Sequence, residues 1–345
     1  MSPIAPASDY TPRRWLRNGH VMTIAGNFLP RRVDLPPPTV EAVEVEPGSS
    51  LLCLCHWQPE PECSLAVVLV HGLEGSAASQ YMLGNAARLW RAGCSVIRMN
   101  MRTCGFHIDS AGRTAEQICP TLYHSGRSAD VRAVAQHAIA TRGVQRVAVV
   151  GYSMGGNMVL KMAGELAAAP LPQLAAVAAV SPAVDLAVSA DGLHRGLNRI
   201  YERRFLRGLT ARYQRRAEMF PERYNAARLS GVCSIRTFDQ NIVAPHNGFT
   251  GADDYYTRAS AKPVLASIPV PTLVLHAEDD PMVTLTEPTR ALLRSNPNIN
   301  LVVTPRGGHC AFLEQPTPHD DGRWAERQIA AFFAAFQQES TAIRP

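Results

Sequence analysis

Lysine is almost missing from this chain. Lys161 and Lys262 are the two it has, and arginine supplies the rest of the 34 basic residues in a sequence of 345. Against 29 acidic residues the formal net charge is +5. That is modest for so long a chain, and no nucleic-acid-binding module accompanies it, so a nucleic-acid partner is not expected. Long apolar runs are missing as well. A membrane-spanning helix needs roughly 18 apolar residues in succession. The longest stretch here, Leu174–Val180, is closed off by Pro172 and Pro182. Residues 1–6 show neither the basic nor the apolar segment of a secretory signal. These absences predict a cytoplasmic chain with no transmembrane segment, and they leave contact with a membrane surface open. Cysteine is not scarce: Cys53, Cys55, Cys63, Cys94, Cys104, Cys119, Cys233 and Cys310 make an even set. In a long chain without a secretory signal, buried free thiols are nevertheless expected rather than disulfides. Cys53 and Cys55 share one face of a strand and lack the C-x-x-C spacing of a metal site.

What is present is a repeating order of strands and helices. Residues 1–38, ending in Pro36-Pro37-Pro38, read as irregular. Residues 40–46 alternate apolar with acidic side chains, the pattern of a strand with one wet face, and 51–57 is its partner across Pro47-Gly48. Leu65–Val70 is apolar throughout, as expected of a strand covered on both sides. A helix over 79–91, a strand over 95–100, a helix over 128–141 and a strand over 146–150 follow. Further strands are expected at Leu174–Val180, 272–276 and 300–304, and an amphipathic helix over 322–336 closes the chain. Strands alternating with helices imply a mostly parallel sheet with right-handed crossovers, and the leading antiparallel pair makes it mixed.

About ninety residues separate the strand ending at Val180 from the one beginning at Thr272, far more than an ordinary crossover needs. Residues 185–262 are read as a helical cap inserted into a core of 39–184 and 263–345. Within the insertion Leu197, Ile200, Tyr201, Phe205, Leu209 and Tyr213 recur at near-helical spacing, which predicts an apolar face turned inward. Between them lie Arg199, Arg203, Arg204, Arg207, Arg212, Arg215 and Arg216. They are read as a solvated helix face in preference to a site for an anionic partner.

The most informative five residues are Gly151-Tyr152-Ser153-Met154-Gly155, which follow the strand 146–150 and precede the helix-like stretch 157–162. A serine on a sharp strand-to-helix turn has its Oγ pushed out at the top of a parallel sheet. Glycines flank it because side chains there would collide with the neighbouring strand and helix. The turn also sets the Met154 N–H at a helix N-terminus, aimed at any negative oxygen that develops nearby. Ser153 is the candidate nucleophile.

A serine hydroxyl needs an adjacent base, and the base needs an orienting carboxylate. In this kind of sheet the chain order is serine, acid, histidine. The strand 272–276 runs into Asp279 and Asp280, and a carboxylate just past a strand's C-terminal end faces the same rim as the nucleophile. Both aspartates qualify. Beyond the next strand, Gly307-Gly308-His309 forms a turn that carries an imidazole over the sheet edge, so His309 is the candidate base. His276, His71 and His124 do not follow the last strand. A second donor to the oxyanion is expected in His71-Gly72-Leu73-Glu74-Gly75, where Gly72 lets the Leu73 N–H join that of Met154. Losing one such donor typically costs ~10²- to 10³-fold in rate. This chemistry calls for no metal or organic cofactor.

On these residues the chain resembles the α/β-hydrolase group that contains the bacterial YheT-type esterases, plant embryogenesis-associated proteins and the animal abhydrolase-domain 1 and 3 relatives. The resemblance covers nearly the whole chain. It is carried by Trp15-Leu16-Arg17-Asn18-Gly19-His20, by His71 to Ser76, by Tyr123-His124-Ser125-Gly126 and by Gly151 to Asn157. Phe238-Asp239, Ala244 to Phe249, Asp254-Tyr255-Tyr256 and Gly307-Gly308-His309 add to it. The resemblance implies an α/β-hydrolase fold and a Ser153, Asp280, His309 triad, because Asp280 precedes Pro281-Met282-Val283 as the group's acid does. Asp279 is then a turn residue capping local N–H groups. It also implies cleavage of short- to medium-chain acyl esters or lipids, with acyl transfer to alcohols in some members. His20 and His124 are expected to support the site. There are departures. Asn100-Met101-Arg102-Thr103-Cys104-Gly105 stands where many relatives read N-F-R-G-C-S-G. An H-x-x-x-x-D motif is lacking at His124, whose sixth position is Ala129, and this weighs against a dedicated acyltransferase. The presence of all three triad candidates weighs against a silent binding protein on the same fold.

Overall fold

Strand β3 (Leu65–Val70) shows how the sequence builds the sheet. Side chains alternate across a strand. Ala66, Val68 and Val70 enter the core on one face, and Leu65, Val67 and Leu69 enter the core on the other. No position is polar because both faces are covered. Each fully buried Val or Leu side chain contributes roughly 1.5–3 kcal/mol. The computed structural model describes residues 9–341. Around β3 lie β1 (Thr39–Glu46), β2 (Ser49–His56), β4 (Ser95–Met99), β5 (Arg146–Tyr152), β6 (Leu174–Val180), β7 (Thr272–Ala277) and β8 (Ile299–Thr304). They form one sheet in the order β1-β2-β4-β3-β5-β6-β7-β8. Strand β2 pairs antiparallel with β1 and β4, and all other pairs are parallel. Helices Gln80–Arg91 and Trp324–Thr341 cover one face through Met82, Leu89, Trp324 and Phe333. Helices Ser128–Arg142 and Met154–Gly164 cover the other through Val131, Val134, Met158 and Leu160.

Four expectations need correction. Residues 1–38 are not irregular throughout, because a helix spans Gly19–Phe28. The Asn18 side chain caps it, accepting from the N–H groups of His20 and Val21 at 3.0 and 3.2 Å. Met22 on this helix packs with Leu16 against Ala311 and Leu313.

Between β6 and β7 lie helices Leu186–Leu193, Arg199–Met219 and Ala252–Ala259 with several short turns. Leu209 and Tyr213 are buried and Tyr201 and Phe205 pack beside them, but Leu197 and Ile200 point outward. The arginines are not a uniformly solvated face either. Arg216 is fully buried, donates to Glu116 O at 2.7 Å and lies over the Phe220 ring. Arg212 pairs with Glu74 at 3.1 Å and Arg215 with Glu116 at 2.9 Å. Those partners, in the loop after β3 and in the short helix Ala115–Ile118, lie far away in the chain, which is why spacing along the helix did not reveal them.

All eight cysteines are free, yet Cys63 and Cys233 are exposed rather than buried, since both sit in surface connections. No helix of the described residues is long and apolar enough to cross a membrane.

Candidate active site

Strand β5 ends at Tyr152 and the helix Met154–Gly164 begins two residues on, so Ser153 must turn the chain alone. It does so with φ 55° and ψ −116°, in a region that non-glycine residues avoid at a cost of order 1–3 kcal/mol. Crowding explains its glycines. A Cβ on Gly151 would lie 2.1 Å from Gly155 O, and one on Gly155 would lie 2.5 Å from both Val70 O and His71 O. The bend is pinned by Ser153 N–H to Val180 O at 2.9 Å and by Asn157 N–H to Ser153 O at 3.1 Å. The buried Asn157 side chain goes further. It donates to Ser125 O and Ala259 O at 3.0 and 2.9 Å and accepts from Ala261 N–H at 2.7 Å.

Ser153 Oγ lies 2.9 Å from His309 Nε2, and His309 Nδ1 lies 2.8 Å from Asp280 Oδ2. The Asp280 side chain is wholly buried, and its other oxygen accepts from the N–H groups of Met282 and Val283 at 2.9 and 3.0 Å. With Nδ1–H given to the carboxylate, Nε2 is left to accept the serine proton. Burial opposes charge on both groups. The nearby imidazole still holds the Asp280 carboxyl below its ordinary range, and Asp280 pushes His309 well above the ordinary histidine value. Asp279 lies elsewhere: its Oδ1 accepts from Gly308 N–H at 2.8 Å, and burial raises its pKa. Gly308 has φ 58°, and a Cβ there would lie 2.7 Å from Gly19 O. The helix Gly19–Phe28 thus lies directly under the histidine loop, and His309 N–H donates to Thr23 Oγ1 at 2.8 Å.

The loop after β3 is held by His71. Its Nδ1–H donates to Gly72 O at 2.8 Å, its Nε2 accepts from Met101 N–H at 3.0 Å, and burial depresses it to about 4. Gly72 N–H donates to the Tyr81 hydroxyl at 2.9 Å. Leu73 and Met154 line the same cavity as Ser153, and neither N–H has a hydrogen-bond partner among the described residues. That cavity measures about 730 Å³ and takes in His309 as well. Much of its wall comes from between β6 and β7, including Leu186, Leu193, Phe205, Leu209 and Phe238.

The other candidate histidines make no hydrogen bond to Ser153, Asp280 or His309, although His124 lines the cavity. His20 Nδ1 lies 3.0 Å from the Tyr201 hydroxyl, with the two rings stacked. His124 is buried edge-on to Phe249 and Tyr255 and accepts from Gly126 N–H at 3.1 Å. His276 is buried within β7. Sequence reasoning missed Thr23 and the reach of Asn157. The one available sign for Thr23 was its place one turn after the Asn18-Gly19 start.

An eight-stranded, mostly parallel sheet with a serine on the β5 elbow belongs to a definite class. Residues 66–316 match the family described as alpha/beta hydrolase fold, and the chain belongs to it. Among its relatives, YheT of Escherichia coli (strain K12), whose designation as an esterase is provisional, is 29% identical over 338 residues, 96% of this chain and 94% of its own. Phospholipase ABHD3 of Mus musculus is 29% identical over 253 residues. That match takes in 72% of this chain but 58% of the mouse protein, so the chain spans little more than half of that relative. The solved esterase Pf2001 of Pyrococcus furiosus shares the fold with a TM-score of 0.54 at 14% identity, over 89% of this chain and 98% of that one.

Proposed function

We propose that this protein hydrolyses carboxylic esters, with Ser153 as nucleophile, His309 as base and Asp280 as the acid that orients it. The observation that carries the reading is the hydrogen-bonded line from Ser153 Oγ through the His309 ring to the buried Asp280, at 2.9 and 2.8 Å, on the wall of a cavity. Oγ attacks the ester carbonyl while Nε2 takes its proton. The N–H groups of Leu73 and Met154 receive the oxyanion. Collapse of the tetrahedral adduct expels the alcohol with the proton from Nε2 and leaves an acyl-serine. Water then attacks that ester as His309 takes its proton, and collapse of this second adduct returns that proton from Nε2 to Ser153 Oγ and releases the carboxylic acid. Asp280 keeps the proton on Nδ1 and steadies the transient imidazolium. Residues 185–262 act as the cap, and their apolar side chains receive a short- to medium-chain acyl group. The phospholipase name of the mouse relative supports lipids as one source of such esters.

A fluorophosphonate probe and a p-nitrophenyl butyrate assay test the reading. Ser153→Ala should lose both labelling and turnover while keeping the native circular dichroism. Labelling that persists in that variant, or wild-type turnover by it, removes Ser153 from the role.

A further inference from the structure

The mouth of the cavity is an unusual surface. On helix Gly19–Phe28, Val21, Ile24 and Phe28 recur three and four residues apart and are 44, 49 and 64% exposed, while Met22 and Thr23 face the core. Beside them begins helix Arg199–Met219. Here Ile200, Arg203, Arg204 and Arg207 share the outward face, with Tyr201, Phe205 and Leu209 on the inward one. Leu197 and Ile200 are 68 and 63% exposed. The two helices are joined at His20 and Tyr201, 3.0 Å apart, and again where the Arg204 guanidinium lies over the Phe28 ring at 5.4 Å. Ile24, Phe28, Arg204 and Arg207 also line the cavity that holds Ser153, so the cavity reaches the surface within this patch.

Its charge is of one sign. Residues 10–33 contain no Asp or Glu. From Arg195 to Arg207 the single acid is Glu202, which is buried and engaged by His194 and by the N–H of Ile235. Arg195, Arg199, Arg203 and Arg207 are exposed and have no acidic partner among the described residues. Exposed aliphatic and aromatic side chains set among unpaired arginines on a helix face are the composition of a surface that lies in a lipid headgroup layer. A second copy of this chain fits poorly, because a two-fold contact of the patch with itself would set arginine against arginine.

We infer that this face docks the protein on an anionic lipid surface, with Val21, Leu197 and Ile200 dipping among the acyl chains and the arginines meeting the headgroup phosphates. The cavity mouth then faces the lipid, and an acyl ester enters without crossing water. That last consequence rests on the ester-hydrolase reading; the docking itself does not. The Ser153→Ala protein is therefore the form to use for binding, since it leaves the vesicles intact.

Full-length Ser153→Ala protein is co-sedimented with vesicles of phosphatidylglycerol and phosphatidylcholine, and with vesicles of phosphatidylcholine alone. Binding to the anionic vesicles is expected, weakening as salt is raised. Each basic residue close to such a surface is worth about fivefold in partitioning, so Arg199→Glu with Arg203→Glu should lower it about 25-fold or more. Leu197→Asp with Ile200→Asp should also lower it. On the wild-type background both double variants should turn over soluble p-nitrophenyl butyrate as the parent does. Absence of binding to the anionic vesicles at low salt, or equal binding by the variants, overturns the proposal. So does self-association that the Leu197→Asp, Ile200→Asp protein loses. Vesicle binding without any ester turnover would keep the docking face and sink the hydrolase reading; turnover without vesicle binding would do the reverse.

Discussion

The backbone N–H of His309 donates to Thr23 Oγ1 at 2.8 Å, and the Thr23 hydroxyl in turn donates to Gly19 O at 2.6 Å. A residue from the first helix thereby fixes the height of an imidazole from the last loop of the sheet. The loop itself, Gly307-Gly308, has little stiffness of its own. Thr23→Val keeps the shape but leaves a buried N–H without an acceptor, at a cost of ~1–3 kcal/mol. On p-nitrophenyl butyrate it should lower kcat by about 10- to 100-fold, as expected of a misplaced catalytic group. KM should move little, and Thr23→Ser should restore most of the rate. Equal kcat in the Val and Ser variants would show that this bond does not position the histidine.

Asp279 and Asp280 are neighbours with different partners, and the difference predicts their variants. Asp280→Asn presents the wrong group to Nδ1–H, and kcat should fall by ~10³- to 10⁴-fold. Asp279→Asn keeps a carbonyl oxygen for Gly308 N–H and should cost about tenfold or less on the scale of a neutral for a charged acceptor. The pH profile carries a sign. His309 must be neutral to act, and Asp280 raises its pKa against the effect of burial. Activity should therefore rise with pH through a midpoint above 6.5, the ordinary histidine value. In Asp280→Asn the charge is gone and burial remains, so the residual activity should have its acid limb at lower pH. A wild-type limb at or below pH 6, or an upward shift in the variant, contradicts the assignment.

The sheet was open to sequence reading because its code is short-range. Leu65–Val70 is apolar at every position only if both faces are buried, and each βα unit repeats that logic. Ser153, Asp280 and His309 all stand just past C-terminal strand ends that such runs mark, so a parallel sheet brings them to one rim. The helix Gly19–Phe28 was harder to see. Its exposed Val21, Ile24 and Phe28 are as apolar as its buried Met22, so the apolar pattern does not mark the face that meets the core. Arg212 and Arg216 were misjudged for another reason, whereas Arg215 does lie on the solvated face. The acceptors of Arg212 and Arg216, namely Glu74, Thr103 and Glu116, lie roughly a hundred residues or more away, a separation that helical spacing does not encode.

Acid should destabilise the fold by way of two histidines held neutral. Burial and the adjacent Arg98 guanidinium depress His56 to about 4, and burial depresses His71 to about 4. In the unfolded chain both titrate near 6.5. As pH falls from 6.5 towards 4, the unfolded state takes up protons that the folded state refuses, so stability is lost across that window. For the fully enclosed His71 the loss is roughly 3 kcal/mol at about 1.4 kcal/mol per pH unit. Urea midpoints measured at pH 7 and pH 4.5 should show the drop, and His71→Gln, though weaker at pH 7, should show a smaller one. An unchanged midpoint in the wild-type protein would mean that these rings are protonated in the fold.

The wall supplied by residues between β6 and β7 bears on substrate choice. Phe205 and Leu209 on one helix and Leu186 and Leu193 on another turn apolar surface into the cavity of Ser153. An acyl chain entering there loses its contact with water, and each buried methylene adds up to ~0.8 kcal/mol, about fourfold in affinity. Contacts along the chain also aim the carbonyl at Ser153, so part of the gain should appear in kcat. Hexanoate and octanoate p-nitrophenyl esters should therefore exceed the acetate ester in kcat/KM. Phe205→Ala separates this from core packing, because it removes wall from the cavity while Leu209 and Tyr213 stay buried. It should lower kcat/KM for octanoate more than for acetate. If acetate and octanoate are cleaved equally well, or if Phe205→Ala weakens both alike, the segment packs against the core without binding the acyl group.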